Sequence, residues 1–149
     1  SSLLDIKVLK GEEELDHVSV DVHGTAFLYT ASNPKDGATV IAEGDLLYIS
    51  CGDTIYSFQL PSLKINWTYC PDQFELYEMY KLENDLLIRG ELAIHRIDKN
   101  GNSIWRYGGK DIFVSMEGEE EVKVYDDYII LTDFNGDKYK IDYNGNTIE

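Results

Sequence analysis

Three short stretches set acidic and amide oxygens where a cation could meet them. Asp98-Lys99-Asn100-Gly101-Asn102, Asp133-Phe134-Asn135-Gly136-Asp137 and Asp142-Tyr143-Asn144-Gly145-Asn146 share the pattern D-x-N-G-[ND]. Oxygen ligands at alternate positions look like the start of a calcium loop. Such a loop, however, needs its glycine at the sixth position and a glutamate at the twelfth. Asn-Gly is also the strongest short hairpin signal, because both residues tolerate positive φ. Hairpin turns account for all three copies, and no bound metal is expected. His17, Asp21 and His23 could share one face of a strand and hold zinc, but no fourth ligand is visible. A solvent-facing polar side of a hairpin explains them better.

Nucleophilic catalysis needs a serine or cysteine held against a histidine and an acid. None of the three histidines accompanies a strained-turn motif such as G-x-S-x-G. His95, beside Arg96, reads as a strand-face residue. No phosphate-cradling or dinucleotide-type glycine pattern occurs. Carboxylates are so numerous that a pair of them says nothing about acid–base catalysis. The expectation is a non-enzymatic chain without a cofactor.

The stretch PDQFELYEMY, residues 71–80, mixes Phe74, Tyr77, Met79 and Tyr80 with Asp72, Glu75 and Glu78 and contains no base. Aromatic residues and Met are enriched at protein interfaces, and acids among them would pair with Lys or Arg of a partner. Asp72, Glu75, Tyr77, Glu78 and Tyr80 are therefore candidate partner-binding residues, joined by Glu119 and Glu120 from a charged insertion at 117–121. The stretch also reads as a strand with one face in the core, leaving Tyr77 and Met79 to point outward.

Net charge supports that choice. Twenty-eight acids against 13 bases give −15, with an excess of acid in every quarter of the chain. Such a surface repels phosphate backbones and anionic lipids, so neither nucleic acid nor membrane is an expected partner. It attracts a basic protein by electrostatic steering. A chain of 149 residues is read as one domain able to bury a core. No apolar run approaches a membrane span and nothing resembles a signal peptide. Cys51 and Cys70 fall on strands that are not neighbours in a meander. Two free thiols and a reducing, cytoplasmic setting are expected.

The positioning elements are strands. Residues 1–10 alternate loosely and could form a first strand; Glu12-Glu13-Glu14 after Gly11 suggests a solvated turn or a short helical start. Residues 17–22 alternate cleanly and are expected to pair with 25–30 across a His23-Gly24 turn. Asn33-Pro34 and Asp36-Gly37 mark a loop, which separates an N-terminal hairpin segment (1–39) from a repeat array (40–149).

The array opens with a three-strand meander at 46–50, 54–60 and 64–69. Gly44-Asp45 before Leu46 is answered by Asn84-Asp85 and by Asp126-Asp127, at intervals of about 40 residues. Trp67-Thr68-Tyr69 returns as Trp105-Arg106-Tyr107. Second strands match at 55–58, 92–97 and 138–141, fourth strands are expected at 74–82 and 111–116, and the third unit stops early at Thr147. These units resemble β-propeller blades, in particular the quinoprotein-like type, on the strength of the acidic strand starts, the Asp-x-Asn-Gly turns, Trp67 and Trp105. The resemblance covers residues 40–149 and implies an all-β fold of antiparallel meander repeats. The chain departs from the family in having two full units and a partial one, the last without a Trp. An open sandwich is the alternative arrangement, and no quinone cofactor is implied.

The combined expectation is an acidic module that captures a basic protein, most concretely a bacterial immunity protein that neutralises a basic toxin such as a nuclease. The alternative is a propeller-type scaffold, or a glycan- or ligand-sensing domain of a larger surface assembly.

Overall fold

The computed structural model describes residues 2–22, 28–31, 35–114 and 120–149, and those residues form thirteen strands and no helix. β1 (Ser2–Lys10) and β2 (Glu13–Val22) make a two-stranded hairpin. β3 (Val40–Glu43), β4 (Leu46–Cys51), β5 (Thr54–Gln59) and β6 (Lys64–Tyr69) follow as a four-stranded sheet in chain order. β7 (Leu76–Lys81), β8 (Asp85–Gly90), β9 (Ala93–Asp98) and β10 (Ser103–Gly108) form the second, and β11 (Val122–Val124), β12 (Ile129–Thr132) and β13 (Lys138–Ile141) the third. All pairings are antiparallel.

The N-terminal hairpin differs from expectation. β2 pairs with β1, Ser2 opposite Val22 and Ile6 opposite Val18; of the expected partner 25–30, residues 28–30 lie outside any strand and 25–27 outside the described residues. Gly11, at φ +63°, supplies the left-handed residue that reverses the chain. Glu13 and Glu14 belong to β2, so no helical start exists there. Pairing β1 with β2 puts Leu4, Ile6 and Val22 on one buried face. The expected His23-Gly24 turn lies outside the described residues.

The repeats hold, but their phase shifts. The strand foreseen at 74–82 is β7, and it pairs with β8 as the first strand of the second sheet. The missing member of the first sheet is β3. Residues 111–114 form no strand, and 115–119 lie outside the described residues. The two assignments differ in packing: Leu76 and Met79 of β7 are buried with Tyr48 and Ile55 of the first sheet and with Leu86 and Ile88 of β8. After the turn at 142–146 the chain runs back along β13, with Thr147 bridged to Ile141 and Ile148 N–H donating to Lys140 O at 2.8 Å.

Three apolar clusters separate the layers. Leu4, Ile6 and Val22 of the hairpin meet Ile49, Cys51 and Phe58 of the first sheet. Tyr48, Ile55, Met79 and Ile88 lie between the first and second sheets, and Leu87, Ile94, Ile129 and Leu131 between the second and third. Each fully buried Leu, Ile or Phe stabilises by about 1.5–3 kcal/mol relative to exposure. The hairpin and three sheets thus form one stack, held face to face.

The Asp-x-Asn-Gly sequences are turns. Asp98 Oδ1 accepts from Asn100 N and Asn102 N at 2.8 and 3.0 Å. Asp142 Oδ1 accepts from Asn144 N and Asn146 N, both at 2.9 Å, and Asp133 Oδ1 takes the equivalent pair from Asn135 and Asp137 at 3.0 Å. Their glycines have φ of +81° to +83°. Each carboxylate is thus occupied by its own turn.

Candidate functional site

Antiparallel pairing gives every sheet two ends. One carries the turns at 52–53, 91–92 and 133–137 and the links that follow Tyr69 and Gly108; the other carries the turns at 44–45, 60–63, 82–84, 99–102 and 142–146. The two ends treat charge differently.

At the second end three bases, Lys81, Arg96 and Lys99, are paired with acids. Lys81 and Lys99 both reach Glu43, at 2.6 and 2.5 Å. Arg96 donates to Asp85 Oδ2 from Nε and Nη2 at 2.9 and 2.6 Å, and to Tyr143 O at 2.5 Å. These contacts tie β3, β7, β8, β9 and the last turn together, while Asp45 and Glu83 stay exposed at this end.

At the first end carboxylates converge and main-chain bonds hold them there. Leu76 N–H donates to Gly52 O at 2.8 Å, Glu91 N–H to Glu75 O at 2.9 Å, and Phe113 N–H to Glu91 O at 2.8 Å. Asp53, Glu75 and Glu91 are thereby brought beside one another from the first sheet, the link and the second sheet. Burial, then the charges of Asp53 and Glu91, raise the Glu75 carboxyl above its usual range. Asp53 accepts the Thr54 hydroxyl at 2.7 Å. Among the described residues no base forms an ion pair with Asp53, Glu75 or Glu91.

Beneath them lies a buried ion pair. Arg89 Nε and Nη2 donate to Glu78 Oε1 and Oε2 at 2.6 and 2.8 Å, and Nη1 donates to Phe113 O at 3.0 Å. Tyr80 donates its hydroxyl to Glu78 at 3.0 Å, and Tyr77 lies under the guanidinium, 4.2 Å from Arg89 Cζ to the ring centroid. Burial works against a charged Arg89, but the hydrogen bonds and charge of Glu78, with Glu121, outweigh it and raise the guanidinium pKa. Burial, then Glu78, pushes the Tyr80 hydroxyl strongly up. Two cavities flank the pair. One of about 150 Å³ is lined by Glu75, Tyr77, Glu78 and Arg89. The other, of about 350 Å³, is lined by Glu78, Tyr80, Glu120 and Tyr29.

The candidate residues therefore divide. Glu75 and Tyr77 stand at the acidic end and share the smaller cavity with Glu78. Glu120 is exposed and shares the larger one with Glu78 and Tyr80. Glu78 and Tyr80 are buried at 8% and 5% exposure, and the Glu78 carboxylate is spent on Arg89 rather than left for an incoming base. Asp72 sits apart in the link, where Oδ1 accepts the Phe74 N–H at 3.0 Å. Glu119 lies outside the described residues. Met79 points inward, at 0% exposure, because the pairing of β7 with β8 shifts register between Leu76 and Met79. Asp53, Glu91 and Arg89 complete the arrangement and were not among the expected residues. His95 is a strand-face residue of β9, and its face is buried, with Nδ1 3.0 Å from the Tyr69 hydroxyl.

The sheets also dock by a repeated contact. Trp67 Nε1 donates to Lys99 O at 2.8 Å and Trp105 Nε1 to Tyr143 O at 2.9 Å, each reaching the Asp-x-Asn-Gly turn of the following sheet. Solved structures show the same arrangement of sheets. The designed Ika4 protein superposes with a TM-score of 0.59 at 9% identity, over 85% of this chain and 78% of that one. BamB from Moraxella catarrhalis gives 0.56 at 19% identity, over 74% of this chain and 38% of BamB. The designed Ika8 protein gives 0.59 at 9%, over 83% of this chain and 39% of that one. The chain is built of propeller-type blades. They form a partial set: two four-stranded blades, a third of three strands, and the hairpin packed on the first. The chain spans about two-fifths of the length of BamB and Ika8. No protein-family model and no curated protein matches its sequence.

Proposed function

We propose that this propeller-type scaffold is a non-catalytic binding module that captures a basic protein on its acidic end. The observation that carries the reading is the group formed by Asp53, Glu75 and Glu91. Three carboxylates from three segments are held together by main-chain bonds, burial and then the charges of Asp53 and Glu91 raise the Glu75 pKa, and no base is paired to them among the described residues. Such an arrangement costs free energy in the isolated chain, and an incoming Lys or Arg offsets that cost. Tyr77, half-buried beside them, offers an aromatic surface that requires little ordering on binding.

In its most concrete form the module is an immunity protein whose carboxylates cover the basic cleft of a toxin such as a nuclease, standing where phosphates would. A cytoplasmic setting goes with this reading, since Cys51 and Cys70 are both free. The test is a pull-down from the native host with the purified chain as bait, eluted by a salt gradient. Recovery of one basic protein, released at moderate salt and inhibited by the bait, supports the reading. Recovery of no basic protein overturns it.

A further inference from the structure

The two outer faces of the stack differ in charge. On the far face of the third sheet, β12 turns Ile129 and Leu131 towards the second sheet, so Tyr128 and Ile130 face away, while Thr132 at the end of that row is buried at 3% exposure. Register puts Lys123 and Lys140 directly opposite Ile130, and Lys138 opposite Thr132. Lys140 lies over the Tyr128 ring, 4.4 Å from its centroid, and Lys138 donates to Thr132 Oγ1 at 3.1 Å. A chain of net charge −15 thus gathers three of its 13 bases on one sheet face, to which β11, β12 and β13 contribute no acid. Among the described residues neither Ile130 nor Tyr128 belongs to a core cluster.

At the opposite end of the stack, the hairpin turns Leu4, Ile6, Val18 and Val20 towards the first sheet. Its outer face therefore presents Asp5 and Asp21 with Ser19 and His17, against the single base Lys7. Leu3 and Leu9 on that side are 65% and 57% exposed, so apolar surface is available there too.

We propose that the lysine face of the third sheet docks on the outer face of the hairpin of a second copy of this chain, extending the stack from copy to copy. The charges complement one another, Lys123 and Lys140 meeting Asp5 and Asp21. Ile130 meets the exposed leucines. The contact is the same kind of face-to-face layering that joins the hairpin to the first sheet within one copy. The interface is heterologous, and copies joined head to tail close into a ring when the rotation between them permits. The like charge of two −15 bodies opposes association. At physiological ionic strength that repulsion is screened beyond about 8 Å, while contacting pairs are screened much less.

The test is molar mass by light scattering at physiological ionic strength, with far-UV circular dichroism to confirm that each variant is folded. Wild type is expected to run as a discrete multiple of the monomer. K123E/K140E and D5K/D21K are each expected to be monomeric, and mixing the two to restore a complex. The milder K123Q/K140Q and D21N replace either charge reversal if it does not fold. A monomeric wild type overturns the proposal. So does an oligomer that persists in either folded variant, or a mixture of the two that stays monomeric.

Discussion

Trp67 of β6 lies flat against Gly101 in the turn after β9, so closely that a Cβ on Gly101 would stand 2.6 Å from Trp67 Cδ2. The same pairing recurs between Trp105 and Gly145, at 2.7 Å. In both cases the indole N–H donates to a carbonyl of the turn that it covers. One side chain per blade thus fixes both the distance and the rotation of the next.

Gly101→Ala tests that contact, with Gly136→Ala as its control. Gly101 and Gly136 have similar positive φ, +81° and +83°, but nothing lies within 4 Å of a Cβ at Gly136. The backbone cost common to both is about 1 kcal/mol. Urea denaturation is expected to show a further loss of about 1–3 kcal/mol for Gly101→Ala alone, the cost of overpacking. Equal losses would contradict blade docking through Trp67.

Arg89 and Glu78 make a second prediction. Their side chains are only 12% and 11% exposed, so removing one leaves the other charged and buried. Arg89→Met is expected to destabilise by about 3–5 kcal/mol. The double variant Arg89→Met/Glu78→Met should recover much of that loss, since neither charge then remains. A double variant as unstable as the single one would show that the pair acts through packing instead.

His95 sets a pH dependence. Burial lowers its pKa to about 4 from 6.5, with Asp72 working in the opposite direction and Arg106 adding to the shift. Between those values the unfolded chain binds a proton that the folded chain does not. The stability contribution is therefore complete above pH 6.5 and is lost as pH falls towards 4, roughly 3 kcal/mol in all. Urea midpoints measured from pH 7 to pH 4.5 should fall less steeply in His95→Gln, which keeps a hydrogen-bonding group for Tyr69. Parallel profiles would remove His95 from the account.

The repeat was legible in the sequence because acidic strand starts, Asn-Gly turns and the two Trp residues recur at one period. The phase of the blades was not. A strand at 76–81 can close one sheet or open the next with the same residues, and only the burial of Leu76 and Met79 between sheets decides it. The pairing of β1 with β2 was not legible for a related reason: Gly11 and His23-Gly24 are equally good turn signals, and only the face that Leu4, Ile6 and Val22 share with the first sheet shows the role of Gly11. Glu75 and Tyr77 could be picked out because they lie in one stretch without a base. Asp53 and Glu91 could not, being single acids in short turns far apart in the chain. They fill the same turn in successive blades, so the period itself held the signal that aligns them with Glu75.

The central claim is that Asp53, Glu75 and Glu91 form the surface that a basic protein recognises. The most direct measurement compares three baits for capture of the same basic partner at fixed ionic strength: wild type, D53N/E75Q/E91Q, and D45N/E83Q. The last pair removes two exposed carboxylates from the opposite end and leaves the acidic end intact. The expected result is capture by wild type and D45N/E83Q, with at least a tenfold loss for D53N/E75Q/E91Q, equivalent to about 1.4 kcal/mol. Equal capture by all three baits would contradict the claim, since the partner would then be responding to net charge rather than to this surface.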